Sequence, residues 1–316
     1  MSSYLLAERV TEENFTEEGY LGANPDIFHA VKIGAFTSGR AHYDMYGKNE
    51  ARCVRVYGSI ILDAKRTKLE RIKPLLRQDM PFTLRQDHLF DFLSDNLKAM
   101  YSIIDTYAVS NNSYDGTVMD VIELNKDKLV LDCGAGSRQV YIDNVVNLEI
   151  VDYDTTDVLG VGEELPFVDN AFDAVLSLSV LEHVKNPFRC AQEIARVLKP
   201  GGQLVCSVPF LQPFHGYPNH YYNMTHKGLE NLFDDYLAID KIDVYEGTLP
   251  VWSLTWILRS WADGLMGKTK DDFLQMKVAD LIASGEQYVK QPFVTELSME
   301  KNLELASAII LIAHKK

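Results

Sequence analysis

The chain has 316 residues, 47% of them hydrophobic, enough to bury a full core as one large domain or as one domain plus an appendage. A formal net charge of −14 repels phosphate backbones and anionic lipid, which disfavours nucleic acid and leaves only a local basic pocket for an anion such as a nucleotide sugar. No apolar run is long enough to span a bilayer, "MSSYLLAERVTEENF" lacks the basic start and apolar stretch of a signal peptide, and Cys53, Cys133, Cys190 and Cys206 form no C-x-x-C pair, so the expectation is a cytoplasmic protein with buried reduced thiols, no stable membrane insertion and no metal site.

Residues 1–58 read as a small helical module. In "YLGANPDIFHAVKIGAFTSGRAHYDMYGKNEAR", Asn24 and Pro25 stand as cap and first turn ahead of a short amphipathic helix, and a helix-turn rhythm continues through "HYDMYG". The pattern resembles a short helical module found beside glycosyltransferases and in some large bacterial surface proteins; it carries no chemistry and reads as a packing or docking appendage. Residues 59–127 are mostly charged and read as a helical connector and cover, with "SNNSYDGT" at 110–117 as a loop.

From about residue 128 short apolar runs alternate with helical patterns, the signature of parallel strands joined by crossover helices. The runs begin at "KLVLDCG" (128), "VVNLEIV" (145), "DVLGVG" (157), "FDAVLSLS" (172), "GGQLVCSVPF" (201), "LAIDKIDVYEG" (237) and "ASAIILIAHKK" (306). Several are apolar at successive positions, as strands covered on both faces require. Between them "NPFRCAQEIARVLKPGG" predicts a helix, with Asn186 as cap, Pro187 in the first turn, and Phe188, Ala191, Ile194, Ala195 and Leu198 as its apolar stripe. An insertion at about 248–303 holds all three tryptophans, and Leu254, Ile257, Leu258, Trp261 and Leu265 form a helical stripe there that either packs on the main domain, lids an acceptor site or meets a second subunit or another partner.

The chemistry starts at "VLDCGAGSRQ", residues 130–139. Gly134 and Gly136 after a buried strand let the backbone turn sharply and approach a ligand with no Cβ in the way. Asp132 just before them would repel a pyrophosphate and would suit a cationic group such as the ammonium of an amino-acid moiety. With "LPFVDNAFDAVLSLSVLEHVKNPFRCAQEIARVLKPGGQLVCSVP" downstream, residues 128–236 resemble the class I S-adenosylmethionine-dependent methyltransferases, motif for motif. The resemblance implies an α/β, Rossmann-like, seven-stranded and mostly parallel sheet with its last strand antiparallel, binding S-adenosylmethionine at the carboxyl ends of its strands.

Carried over by position, the resemblance places Asp132 near the methionine amino group and the backbone of Gly134, Ala135 and Gly136 beside the amino-acid and ribose portion. It places Glu149 on the two ribose hydroxyls, and Ser177 and Ser179 near the sulfonium. Two departures stand out: Arg138 replaces the third glycine, and Val161 replaces an aspartate that often contacts adenine, a role left to Glu163 or to main-chain groups near Gly162. Tyr114 and Asp115 either fold over the cofactor or form a plain loop. After the fifth strand run, "PFLQPFHGYPNHYYNMTHKGLENLF" gathers His215, His220 and His226 with Tyr217, Tyr221 and Tyr222. Histidine titrates near neutrality and can take a hydroxyl proton, and aromatic faces suit a sugar ring. His215 and His220 are the candidates for base or acceptor contact, His183 in "VLEHV" either touches substrate or satisfies helix-start groups, and His226 follows Thr225, a helix cap, as a solvated residue.

The expected function is oxygen methylation of a saccharide or nucleotide-sugar acceptor, since this segment and the N-terminal module resemble proteins of bacterial polysaccharide biosynthesis. The alternatives are a cofactor-binding or scaffolding protein without turnover, and a methyltransferase acting on another small molecule. A homo-oligomer or an assembly partner would be met through the N-terminal module or the tryptophan-bearing insertion.

Overall fold

A computed structural model describes residues 1–56, 59–104, 113–216 and 219–314; Tyr217 and residues 110–112 of the predicted loop lie outside the described residues. The chain divides into two units, residues 1–180 with 185–207, and residues 181–184 with 208–316.

The first unit opens with β1 (Ser3–Leu5), β2 (Ala7–Arg9), α1 (Glu17–Ala23), α2 (Pro25–Lys32), α3 (Gly39–Met45) and β3 (Cys53–Arg55). β2 and β3 pair antiparallel, and Val10, Tyr20, Ile27, Tyr43 and Val54 form a small core. The Tyr20 hydroxyl and His42 Nδ1 share a buried hydrogen bond of 2.9 Å, so neither polar atom is stranded. Asn24 does not cap α2 with its side chain, as the Asn-Pro pair predicts. Its amide instead donates to the carbonyls of Tyr20 and Cys53 at 2.7 and 2.8 Å, closing the end of α1 against β3 where those acceptors would otherwise lack a donor.

Next come α4 (Ser59–Ile72), β4 (Thr83–Arg85), β5 (Leu89–Asp91), α5 (Asp95–Tyr101) and α6 (Gly116–Leu124), so the segment read as a helical connector also carries two strands. β6 (Val130–Cys133), β7 (Val140–Ile142), β8 (Val145–Glu149), β9 (Val158–Leu159), β10 (Phe172–Leu178), α7 (Pro187–Val197) and β11 (Leu198–Ser207) complete the unit. β1 pairs antiparallel with β7 within this unit.

The main sheet has seven strands in the order β11-β10-β6-β8-β9-β5-β4. All neighbours are parallel except β5 and β4, so it is the expected mostly parallel sheet with one antiparallel member. β6 is buried at every position and β8 and β10 nearly so, because helices and loops cover a parallel sheet on both faces. The antiparallel member comes from a different place than the apolar runs predict: β4 supplies it, while the runs at 237 and 306 form no strand among the described residues. Ile309, Ile310, Leu311 and Ile312 are exposed, so that run buries none of the surface that made it read as a strand.

α7 joins β10 to β11 as the crossover that parallel neighbours need. Asn186 caps it through the Arg189 N–H at 3.1 Å, as predicted, but its buried face is Cys190, Ala191, Ile194 and Val197. Phe188 is 59% exposed, because at about 100° per residue it points away from that face. α4 is held to the sheet by Lys68, whose buried Nζ donates to the Val145 carbonyl and lies 2.8 Å from Asp157 Oδ2. The Tyr141 hydroxyl and the Asn147 N–H also donate to that carboxylate, at 2.6 and 2.9 Å.

The second unit holds α8 (His226–Phe233), α9 (Pro250–Asp263), α10 (Gly267–Leu274), α11 (Pro292–Thr295) and α12 (Met299–Glu304). Thr225 caps α8 through the Gly228 N–H at 3.1 Å, and His226 is exposed. Ala262, Leu265, Phe273 and Leu297 are the core of the helical insertion, with Trp261 packed on them and its indole N–H donating to the Phe293 carbonyl. Only the end of the predicted α9 stripe is used: Leu254 and Leu258 are exposed. No helix among the described residues is long and apolar enough to cross a membrane.

Candidate functional site

The residues singled out in the sequence fall into two groups. Asp132, Gly134, Ala135, Gly136, Glu149, Gly162, Glu163, Ser177 and Ser179 lie in the first unit, on or after the carboxyl ends of β6, β8, β9 and β10, while His183, His215 and His220 lie in the second.

The turn after β6 depends on glycine. Gly134 and Gly136 have φ of +83° and +66°, the left-handed region, and a Cβ on Gly134 would stand 2.5 Å from Val180 Cγ2. The amides of Gly134 and Ala135 donate to the Leu148 carbonyl at 2.9 and 3.0 Å. Glu149, ending β8, accepts from the Gly136 N–H and the Ile150 N–H, both at 2.7 Å. Burial pushes the Glu149 carboxyl above its usual range, and the two amides oppose the shift.

Asp132 is fully buried. Its Oδ2 accepts from the Tyr114 hydroxyl at 2.6 Å and from Arg138 Nη2 at 2.8 Å, while Oδ1 has no hydrogen-bond partner among the described residues. The Arg138 guanidinium lies 4.2 Å from the centre of the Tyr114 ring, a cation–π contact. Burial, then the Asp132 charge, holds the Tyr114 hydroxyl protonated well above its ordinary range. Arg138, which the sequence presents only as a missing glycine, is thus the counter-ion of the first acid. Asp115 caps α6 through the Val118 N–H at 2.9 Å.

Around these, Gly162 backs onto a thiol: a Cβ there would stand 2.7 Å from Cys190 Sγ. Glu163 is buried, and its Oε1 accepts from the amides of Lys185 and Asn186 at 2.9 and 3.4 Å, closing the approach to α7. Ser177 is fully buried and its Oγ has no partner among the described residues. Ser179 turns the chain at φ +56°, its N–H donating to the Ser207 carbonyl at 2.9 Å.

In the second unit the histidines form one cluster, with ring centroids 5.4 Å apart for His183 and His215, 5.7 Å for His183 and His220, and 4.3 Å for His215 and His220. His183 Nδ1 meets the Asn219 carbonyl at 2.7 Å and His215 Nδ1 the Pro213 carbonyl at 2.8 Å. A carbonyl can only accept, so each Nδ1 carries a hydrogen and each neutral ring keeps its lone pair on Nε2. His220 is committed at both nitrogens: Nδ1 accepts from the His215 N–H at 3.1 Å, and Nε2 lies 3.0 Å from Asn223 Oδ1. Burial lowers the pKa of His183 and His220 alike.

Beside them lies a residue outside the predicted site. The side chain of Glu182 is fully buried, neither carboxylate oxygen has a hydrogen-bond partner among the described residues, and burial pushes its pKa up to about 8. Its adjacency to His183 in "LEH" was the available signal.

An open, mostly parallel sheet with helices on its faces, carrying a buried acid and a glycine turn at its carboxyl edge, defines an α/β, Rossmann-like domain. Residues 131–206 match the family model described as a methyltransferase domain. An uncharacterized methyltransferase of Mycobacterium leprae is 46% identical over 66 residues, 21% of this chain and 23% of that protein. The chain thus spans about a quarter of the length of the curated relatives it matches. Among solved structures, a Burkholderia thailandensis 1,6-didemethyltoxoflavin-N1-methyltransferase with bound S-adenosylhomocysteine is 17% identical, with 37% of this chain and 65% of that one covered, at a TM-score of 0.28. A Haemonchus contortus phosphoethanolamine N-methyltransferase with S-adenosylhomocysteine is 16% identical, with 56% and 44% covered, at a TM-score of 0.31.

Proposed function

We propose that the chain is an S-adenosylmethionine-dependent methyltransferase acting on a hydroxyl of a saccharide-type acceptor. The observation that carries the reading is Asp132 Oδ1, a buried carboxylate oxygen without a donor at the head of a glycine turn. Such an atom is costly unless a donor meets it, and the ammonium of the cofactor's amino-acid end is a donor of the right charge. Tyr114 and Arg138 hold Oδ2 and so aim Oδ1. Glu149 offers two acceptor oxygens for two ribose hydroxyls. Main-chain groups near Gly162 would meet the adenine, with Glu163 Oε1 spent on the amides of Lys185 and Asn186. Ser177 and Ser179 line the sulfonium end.

When bound, the cofactor supplies a methyl group activated by its sulfonium. The chain's own task is to place a hydroxyl in line and take its proton. The Nε2 lone pairs of His183 and His215 can accept one, and His220 fixes His215 through its N–H. Tyr221 and Tyr222 are exposed and offer aromatic faces to a sugar ring. A cytoplasmic location, with residues 1–58 as a docking module, 59–127 as a cover for the cofactor site and 128–316 as the catalytic domain, belongs to the same proposal.

A second reading, a cofactor-binding protein without turnover, is favoured by one observation: Arg138 already neutralises Asp132. Calorimetric titration of the full chain with S-adenosylhomocysteine, wild type and Asp132→Ala in parallel, tests cofactor binding. Micromolar binding lost in a folded variant supports the proposal, and no binding by folded wild type refutes it. Mass-spectrometric counting of methyl groups on saccharides incubated with the cofactor then separates the two readings.

A further inference from the structure

We infer that Glu182, His183 and His215 form a binding site for one divalent transition-metal ion. One ligand atom from each lies within 4.8 Å of the others, and His183 Nε2 stands 3.8 Å from Glu182 Oε1. Ligands about 2.1 Å from a shared ion stand roughly 3 to 4 Å apart, so closing on an ion takes side-chain shifts on the order of 1 Å.

Three further features fit an ion better than a plain core. A carboxyl group with both oxygens unpartnered and no exposure is costly for a fold to carry even when neutral, and a cation would give it a partner directly. Both imidazoles donate Nδ1–H to main-chain carbonyls, the arrangement that fixes ring orientation and leaves Nε2 for a metal. The loop carrying His215 is also shaped around the His183 ring: Gly216 has φ +82°, and a Cβ on it would fall 2.1 Å from His183 Cε1.

Two imidazoles and one carboxylate suit zinc, cobalt, manganese or iron(II) rather than magnesium or calcium, which favour all-oxygen shells. Three protein ligands leave open positions for water or an oxygen-bearing molecule. His220, with both nitrogens engaged, stays outside the ligand set. Metal binding at Nε2 and proton acceptance at Nε2 exclude each other, so an ion here would take over by lowering the pKa of a bound hydroxyl, whose proton leaves to solvent. That consequence rests on the methyltransferase reading, whereas the binding does not.

The test uses the full chain stripped with a chelator and titrated with Co²⁺ and with Zn²⁺, without cofactor. Wild type is expected to take up one equivalent, to show the visible d–d bands of cobalt bound through nitrogen, and to melt at a higher temperature with metal. Glu182→Gln and His215→Ala are expected to lose at least ~10²-fold in affinity. Glu182→Gln keeps the size of the side chain and removes only the ligating carboxylate, so it decides alone if His215→Ala does not fold. A wild type that binds no single saturable equivalent overturns the inference, and so does undiminished binding by the folded variants. Since S-adenosylhomocysteine titration involves no metal, failure here leaves the methyltransferase reading standing.

Discussion

Arg138 and Asp132 form a buried ion pair, Nη2 to Oδ2 at 2.8 Å, on the turn that heads the proposed cofactor site. Removing one partner of such a pair leaves an uncompensated buried charge and typically costs about 3–5 kcal/mol. Arg138→Met should therefore lower unfolding stability by that order in a urea titration. Added S-adenosylhomocysteine should restore part of the loss, because its ammonium replaces the missing cation. A variant as stable as wild type would mean that water or a proton reaches Asp132 without Arg138.

Gly134 meets two separate constraints, the φ of +83° and the 2.5 Å approach of Val180 Cγ2 to its missing Cβ. Gly134→Ala should cost ~1 kcal/mol or more for the backbone conformation and a further ~1–3 kcal/mol for overpacking. Val180→Ala removes the second cost only. A double-mutant cycle should thus give a favourable coupling of about 1 kcal/mol or more, with the residual destabilisation belonging to φ. Additive losses would show that the loop moves aside from Val180.

The extent to which this was legible from sequence follows from burial. β6, β8 and β10 announce themselves as continuous apolar runs because both faces are covered. β4 and β5 do not, being three residues each, with the ion pair of Arg85 and Asp91 across them; they borrow stability from neighbours rather than from pattern. "AIILIA" has the pattern of a strand but no pairing partner among the described residues, and pattern alone cannot supply one. At the site, the glycine turn and its acids carry their meaning locally. The Arg138 pairing and the proposed Glu182 role do not, because one depends on how the turn folds back on Asp132 under Tyr114 and the other on where the loop at His215 comes to lie.

The histidine cluster predicts a rate effect. His215→Ala should lower methylation of a saccharide hydroxyl by about 10²-fold, the usual size of a proton-transfer contribution. His220→Ala should have a smaller effect, since its Nδ1 acts by accepting the His215 N–H at 3.1 Å. Single-turnover assays with cofactor at saturation separate these from binding. Unchanged rates in both variants would remove both residues from the reaction.

Lys68 gives a pH dependence of stability with a definite sign. Burial pushes its ammonium down to about 8 from 10.5, the Asp157 carboxylate opposing the shift. Between those values the unfolded chain carries a proton that the folded chain lacks, so stability rises with pH across the window. Below about 8 the ammonium is charged in both states and the cost of burying it is fully present. Lys68→Met titrates nothing at this position, so the stability of wild type minus variant should climb between pH ~8 and ~10 by up to ~3 kcal/mol. Urea titrations at three pH values in that range measure it. A flat difference would show that Asp157, 2.8 Å away, outweighs burial and keeps Lys68 charged throughout.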